Sequence, residues 1–309
     1  LSIVNVYFVG QPRSGDGSWV LVDAGLPSSG PAILRAAEER FGPNARPAAI
    51  VLTHGHFDHR GSLEKLAEHW DVPVYAHRLE LPYLTGRSDY PPPDPTVGGG
   101  AMAYSSRLFP RRAIDLGSRI QPLPEDGSVP GMPDWRWVHT PGHTPGHVSF
   151  FRETDRVLIA GDAFVTTRQE SAIAALTKKE EVWRPPAYFT IDWGAARESV
   201  ENLAALRPSV AATGHGHPFF GEPMRWQLDR LARDFDRYIP ADGRYVRQPA
   251  LADEQGIRLL PPAVPDRLPL LLGLVAVAAL GTMIVRRRRN ASEPVALLII
   301  EEETWIEAV

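Results

Sequence analysis

The sequence predicts an α/β protein followed by a C-terminal transmembrane helix. Three observations carry that expectation. Short apolar runs that read as strands alternate with amphipathic runs at helical spacing through about residue 240. Several of the strand-like runs end beside glycine in a stretch bearing histidine or aspartate. Near the C-terminus, Leu268 to Val285 runs eighteen residues without a charge.

The elements follow in order. Ile3 to Val9 reads as a strand; it is too polar, and lacks the charged flank, to be a signal peptide. Because the chain opens at Leu1, its natural N-terminus is expected to lie upstream. A hairpin follows, with Trp19 to Asp23 as its second strand. Pro31 to Phe41 reads as a helix, with Ile33, Leu34, Ala37 and Phe41 at helical spacing. Ala48 to Thr53 is a buried strand, Ser62 to Trp70 a helix burying Leu63, Leu66, Ala67 and Trp70, and Val72 to Ala76 another strand. Residues 86 to 112 break the pattern, because Tyr90 to Pro95 and Gly98 to Gly100 cannot form a regular element. So long a loop is either a surface excursion or a wall of a substrate cleft.

Further strands are expected at Trp135 to His139, Arg156 to Ile159 and around Ser209 to Ala212. Residues 164 to 193 form a second insertion, with a helix near Gln169 to Thr177, and its place directly after Asp162 makes it another candidate substrate wall. Gly194 to Leu206 and Pro223 to Ile239 read as helices. Residues 241 to 267 turn Pro-rich and read as a linker. The uncharged run 268 to 285 would be about 27 Å long as a helix, near the thickness of a hydrocarbon core, and reads as a single membrane span. Arg286 to Arg289 after it would place the tail in the cytoplasm, whereas no export signal is visible, so the side of the main domain stays open. Residues 286 to 309 form a short basic-then-acidic tail.

Composition narrows the function classes. With 43% hydrophobic and 23% charged residues, the 309-residue chain has ordinary globular proportions, compatible with one large domain or two. A net charge of -4 gives no electrostatic support for nucleic-acid binding. No cysteine is present, which excludes disulfides and thiolate metal ligands.

The chemistry concentrates in Thr53 to Gly61. His54, His56, Asp58 and His59 pack three imidazoles and a carboxylate into six positions after the apolar Ile50-Val51-Leu52. Imidazole and carboxylate are the ligands that suit zinc and its neighbours. Three more stretches end the same way: Thr140 to His147, Ala160 to Ala163 and Ala212 to His217. They offer His143 or His147, Asp162, and His215 or His217. Glycine beside each lets the backbone turn sharply and approach an ion closely. His69, His77 and His139 have no motif around them and stay unassigned.

The series HxHxDH, then TPGHT, then GD, then GHG resembles the metallo-β-lactamase-fold hydrolase superfamily, over about residues 2 to 240. The resemblance implies a four-layer αββα sandwich over residues 1 to 240 and a metal-dependent hydrolase of the glyoxalase II-like or lactonase-like branch. It implies that His54, His56 and His143 hold one divalent ion, that Asp58, His59 and His215 hold a second, and that Asp162 bridges them. The ions would be zinc, with iron or manganese as alternatives, and a bridging hydroxide would attack an ester, thioester or lactone. Asp58 would also orient that hydroxide. Asp23 matches an early aspartate of the family that supports ligands rather than binding metal. Class B β-lactamases generally lack the bridging carboxylate, which weighs against that activity. Two other readings on the same scaffold are a mononuclear iron persulfide dioxygenase, using positions around His56, His143 and Asp162, and a non-catalytic membrane-tethered binding protein. The expected partners are a small-molecule substrate and, through residues 268 to 285, a membrane.

Overall fold

A computed structural model describes residues 4–98, 100–168, 180–265 and 306–308. Strands β1 (Tyr7–Gly10) and β2 (Trp19–Val22) form the expected antiparallel hairpin. Helix α1 (Gly30–Phe41) leads to β3 (Ala49–Val51), and α2 (Leu63–Trp70) leads to β4 (Val74–Ala76). After the short helices α3 (Leu81–Leu84) and α4 (Ala101–Ser105) come β5 (Ile120–Pro122), β6 (Trp135–His139), β7 (Val148–Arg152) and β8 (Val157–Gly161). Helix α5 (Trp193–Ala205), β9 (Val210–Thr213), β10 (Phe219–Phe220) and α6 (Gly221–Arg233) follow. Helix α7 (Arg244–Arg247), the hairpin β11 (Leu251–Asp253) with β12 (Gly256–Leu259), and β13 (Ile306–Ala308) complete the described chain.

The strands form two main sheets, in the orders β13-β1-β2-β3-β4-β5 and β10-β9-β8-β7-β6. Period-two alternation explains how they stack. Tyr7, Val9, Val20, Val22 and Val51 of the first sheet meet Val148, Phe150, Ile159, Val210 and Ala212 of the second in one inner core. The intervening residues Phe8, Trp19, Leu21 and Ile50 turn outward and pack with Ile33, Phe41, Leu66 and Trp70 of α1 and α2. On the far side Phe151, Leu158, Ala160 and Ala211 pack with Val200, Leu203, Leu228 and Leu231 of α5 and α6. Both sheets are thus covered on both faces, which is why their strands read as near-continuous apolar runs. The architecture is the expected four-layer αββα sandwich.

Local chemistry sets the helix limits. The α2 stripe Leu63, Leu66, Ala67 and Trp70 is buried, and the helix stops at Asp71, held at φ +51° with Pro73 close behind. Asp192 caps α5 by accepting the Ala195 N–H at 3.0 Å. The stretch expected to continue as helix to Ile239 ends at Arg233, where a 3-10 turn takes over.

The two insertions are stitched into the body. The Asp94 N–H donates to the Tyr188 carbonyl (2.8 Å), tying one insertion to the other. The buried Asp94 carboxylate accepts the Arg244 N–H (2.5 Å), and the Tyr245 hydroxyl donates to the Pro92 carbonyl (2.6 Å). The Pro-rich stretch expected as a linker therefore carries regular structure that braces both insertions. The helix expected near Gln169 to Thr177 lies outside the described residues.

The expected membrane anchor is overturned. Among the described residues no helix is long and apolar enough to cross a membrane, and Leu268 to Val285 lies outside them. Beyond that run, β13 pairs antiparallel with β1, Tyr7 facing Ala308. A single span would carry everything after it to the opposite side of the bilayer from the sandwich, so it excludes this pairing. Eighteen uncharged residues meet a condition for spanning without requiring it. The transmembrane helix, the membrane partner and the membrane-anchored location fall together.

A candidate metal centre at one edge of the sandwich

The clustered residues all leave the same edge of the two sheets. Asp23 follows β2, and His54 to His59 follow β3. His143 lies between β6 and β7, Asp162 directly follows β8, and His215 comes just after β9. Hydrogen bonds join the sheets at this edge: Val148 N–H to the Thr53 carbonyl (2.9 Å) and Asn5 N–H to the Gly214 carbonyl (2.8 Å).

Glycines let these loops close up. The β8–β9 register slips between Ile159 and Gly161, and Gly161 sits at φ +54°, where a Cβ would lie 2.6 Å from His147 Nε2. Such a bulge re-aims the next side chain, here Asp162. At Gly214 a Cβ would lie 2.2 Å from Asp162 Oδ1.

The result is a buried cluster. Asp162 Oδ2 lies 3.1 Å from His215 Nε2, 3.5 Å from His143 Nε2 and 3.6 Å from His59 Nε2. His56 Nδ1 lies 3.0 Å from His143 Nε2, and Asp58 Oδ2 is 3.5 Å from His215 Nε2. Three groups offer ligand atoms within 4.8 Å of one another: His54, His56 and His143; His54, His59 and Asp162; and Asp58, His59 and His215. Every residue expected at the site is therefore brought together, and two of the groups coincide with the two expected triads.

Support comes from behind. Asp23, held at φ +61°, accepts the Thr53 N–H, the Thr53 hydroxyl and His59 Nδ1, each at 2.8 Å. That contact puts the His59 proton on Nδ1 and aims Nε2 into the cluster. His147 does not join the cluster: its Nε2 accepts the Asp162 N–H at 2.9 Å while Nδ1 meets Thr140 Oγ1 at 2.8 Å. His217 is half-buried and offers its carbonyl to Thr166 (2.6 Å). His77 and His139 stack on each other with centroids 4.2 Å apart, and His69 is exposed on α2.

The electrostatics divide the cluster in two. Burial and the neighbouring imidazoles hold His54 and His56 well below the usual histidine range, and burial pushes His143 down to about 3. These three are neutral rings, the form a metal needs. Burial also opposes charge on His59 and His215, but Asp162, helped by Asp23 or Asp58, outweighs it and raises both. Asp162 in turn is held well below the usual carboxylate range by His215 and His59, against the effect of burial. His54 Nε2, His59 Nε2 and Asp162 Oδ1 are buried without a hydrogen-bond partner. Orphaned polar atoms converging on one spot are costly unless a cation satisfies them, so this donor set fits divalent metal.

The sequence profile of the metallo-beta-lactamase superfamily matches residues 1–215. The chain belongs to that superfamily. Within it, the chain is 52% identical over 232 residues to the probable metallo-hydrolase YflN of Bacillus subtilis (strain 168), covering 75% of this chain and 88% of that one. It is 30% identical over 213 residues to the probable metallo-hydrolase YybB of the same organism, covering 69% and 80%. The crystal structure of BLEG-1 B3 metallo-beta-lactamase aligns with a TM-score of 0.51 at 24% identity, over 74% of this chain and 91% of that one, a likeness of fold. At this level the chain is a metallo-hydrolase of the metallo-beta-lactamase superfamily, and its His/Asp cluster is where divalent ions could sit.

Sequence reasoning missed two members of the superfamily site's surroundings. Glu80 and Tyr90 are buried beside it, with the Tyr90 ring 4.8 Å from that of His56. Neither sits in a motif: Glu80 opens an apolar run and Tyr90 precedes three prolines. The insertions add an aromatic wall. Phe189 lies against His56 with centroids 4.5 Å apart, and Phe109 lies 5.3 Å from Phe57 and 6.1 Å from Phe189.

Proposed function

We propose that this chain is a dinuclear metal-dependent hydrolase of an ester, thioester or lactone. The single observation that carries the reading is the pair of complete ligand triads on either side of the Asp162 carboxylate. His54, His56 and His143 would hold one divalent ion, Asp58, His59 and His215 the other, and Asp162 both. Bound there, such ions supply a nucleophilic hydroxide at neutral pH and polarise a substrate carbonyl. The absence of thiolates in the donor set suits zinc, iron or manganese alike, with zinc the first choice.

The chain's own residues do the positioning. Asp23 keeps His59 in one tautomer, and His147 holds the backbone of Asp162. Asp58 is the least buried member of the cluster, with 13% of its side chain exposed, so it is the carboxylate best placed to hold and move a proton beside the substrate. Phe57, Phe109 and Phe189 put an apolar aromatic face beside the cluster, suited to the carbon skeleton of an acyl group.

The test is metal content by elemental mass spectrometry, followed by turnover of a panel of esters, thioesters and lactones. Close to two ions per chain and hydrolysis of a panel member are expected, with His56→Ala and Asp58→Ala at least 100-fold slower and still folded. A single iron per chain, or near-normal turnover in either variant, would overturn the dinuclear assignment.

A further inference from the structure

We propose that Glu80 is a positioning residue whose carboxylate clamps the loop of His54 and His56 to the loop of His143. The proposal rests on the two-ion reading above and concerns only the first of the two triads. Glu80 is fully buried. It stands at the N-terminus of α3 but its side chain does not cap that helix. Each of its oxygens instead faces two donors. Oε2 accepts the Gly55 N–H at 2.9 Å and the Tyr90 hydroxyl. Oε1 accepts the Thr144 hydroxyl at 2.7 Å and the Gly146 N–H at 2.9 Å.

These four donors are not scattered. Gly55 lies between His54 and His56, Thr144 follows His143, and Gly146 precedes His147, which holds Asp162. Tyr90 carries its ring against His56 and also accepts the Gly55 N–H at 3.0 Å. One carboxylate thus joins chain segments 25 and 64 residues away from it. The approach is too close for other side chains: a Cβ on Gly55 would lie 2.6 Å from the Tyr90 hydroxyl, and one on Gly146 2.7 Å from the Glu80 nitrogen.

A carboxylate is required here rather than any polar group of the same shape. An ionised carboxylate is acceptor-only, with about four lone-pair sites, and four donors fill them. In Glu80→Gln the amide nitrogen would face a backbone N–H whichever way it turned, Gly55 on one side or Gly146 on the other, and the neighbouring hydroxyl would have to reverse to accept from it. In the second triad His59 takes its support directly from Asp23, which reaches the first triad only through the Thr53 hydroxyl beside His54. The clamp therefore predicts a selective defect.

The experiment compares the full wild-type chain with Glu80→Gln and the milder Tyr90→Phe, which removes one donor and keeps the ring. Zinc is titrated into chelator-stripped protein against a chromophoric competitor, and metal-free melting is recorded in parallel. His56→Ala and His215→Ala assign the two equivalents to their triads. In Glu80→Gln the His56-dependent equivalent is expected to weaken by roughly 10–100-fold, the usual effect of losing a group that orients ligands. The His215-dependent equivalent should hold within about threefold, and Tyr90→Phe should show a smaller loss at the same ion. Two unchanged equivalents would overturn the clamp. So would equal weakening of both ions in step with a lower metal-free melting point, which a merely structural role produces. A wild-type chain in which His56→Ala removes no zinc equivalent overturns both the clamp and the two-ion reading. Two wild-type equivalents with no selective loss overturn the clamp alone.

Discussion

At the scale of single residues, histidines of one type are driven to opposite states by their neighbours. His143 and His215 both lie against Asp162, yet burial wins at the first and the carboxylates win at the second. His215 hydrogen-bonds Asp162 at 3.1 Å and also faces Asp58, whereas His143 lies 3.5 Å from Asp162 and is opposed by His59 and His215. Away from the cluster, burial and the neighbouring His139 push His77 down to about 3. Its Nδ1 accepts the Leu79 N–H, so the fold accommodates the neutral ring. An unfolded histidine takes up a proton below about pH 6.5, the folded His77 only near 3. Its contribution to stability is thus complete above pH 6.5, falls as the pH drops, and levels off near 3. Urea denaturation of wild type and His77→Gln at two pH values checks this. On going from about pH 7.5, above that window, to about pH 5, inside it, the wild type should lose more stability than the variant. Equal losses would remove His77 from the account.

At the scale of elements, α5 does more than cover the second sheet. Its first turn receives the loop that carries His143: the Ile191 and Asp192 N–H groups donate to the Gly142 carbonyl at 2.9 and 3.0 Å. Gly142 sits at φ +129° with no room for a Cβ, which would lie 2.4 Å from the Ala196 nitrogen. The Asp192 cap therefore holds both the helix start and the loop. Asp192→Ala should cost about 0.5–2 kcal/mol of stability, as lost N-caps do. Chemical denaturation measures it, and no change beyond a few tenths would show that Ala195 finds another partner. The insertions belong to this scale as well. Phe109 from one meets Phe189 from the other, whose ring lies against His56, although nothing in their local sequences pairs them.

At the scale of the whole molecule, the site straddles the sandwich. His54 to His59 come from the first sheet, and His143, Asp162 and His215 from the second. An ion held by both sets links the two halves of the fold, and it binds the folded chain in preference to the unfolded one. Stabilisation by such a ligand is about 4 kcal/mol at a thousand times its dissociation constant. A chain of this size shifts its melting point by about 2–4 °C per kcal/mol. Chelator-stripped protein is therefore expected to melt roughly 8–16 °C lower than protein in excess zinc, and zinc should restore it. Superimposable melting curves would mean that the cluster takes no zinc under those conditions.

The sequence by itself determined the strands that deliver the site, because each is buried on both faces and reads as an apolar run. It also determined the ligand-type residues, since HxHxDH and its partners are local patterns with glycine alongside. What only the tertiary structure decided is what those patterns touch. Glu80 and Tyr90 escaped notice because their partners lie up to 66 residues away, and no spacing rule reaches that far. His143 parted from His147, and His215 was set on Asp162, by where those rings point at the sheet edge. The C-terminus is the sharpest case. An uncharged run of eighteen residues satisfies a length-and-polarity condition for a membrane span, which is necessary for crossing and not sufficient. The pairing of β13 with β1 is long-range, and it places the end of the chain on the same side as the sandwich. Local sequence encodes periodicity and chemistry; which distant segments meet is set by the packing of the whole chain.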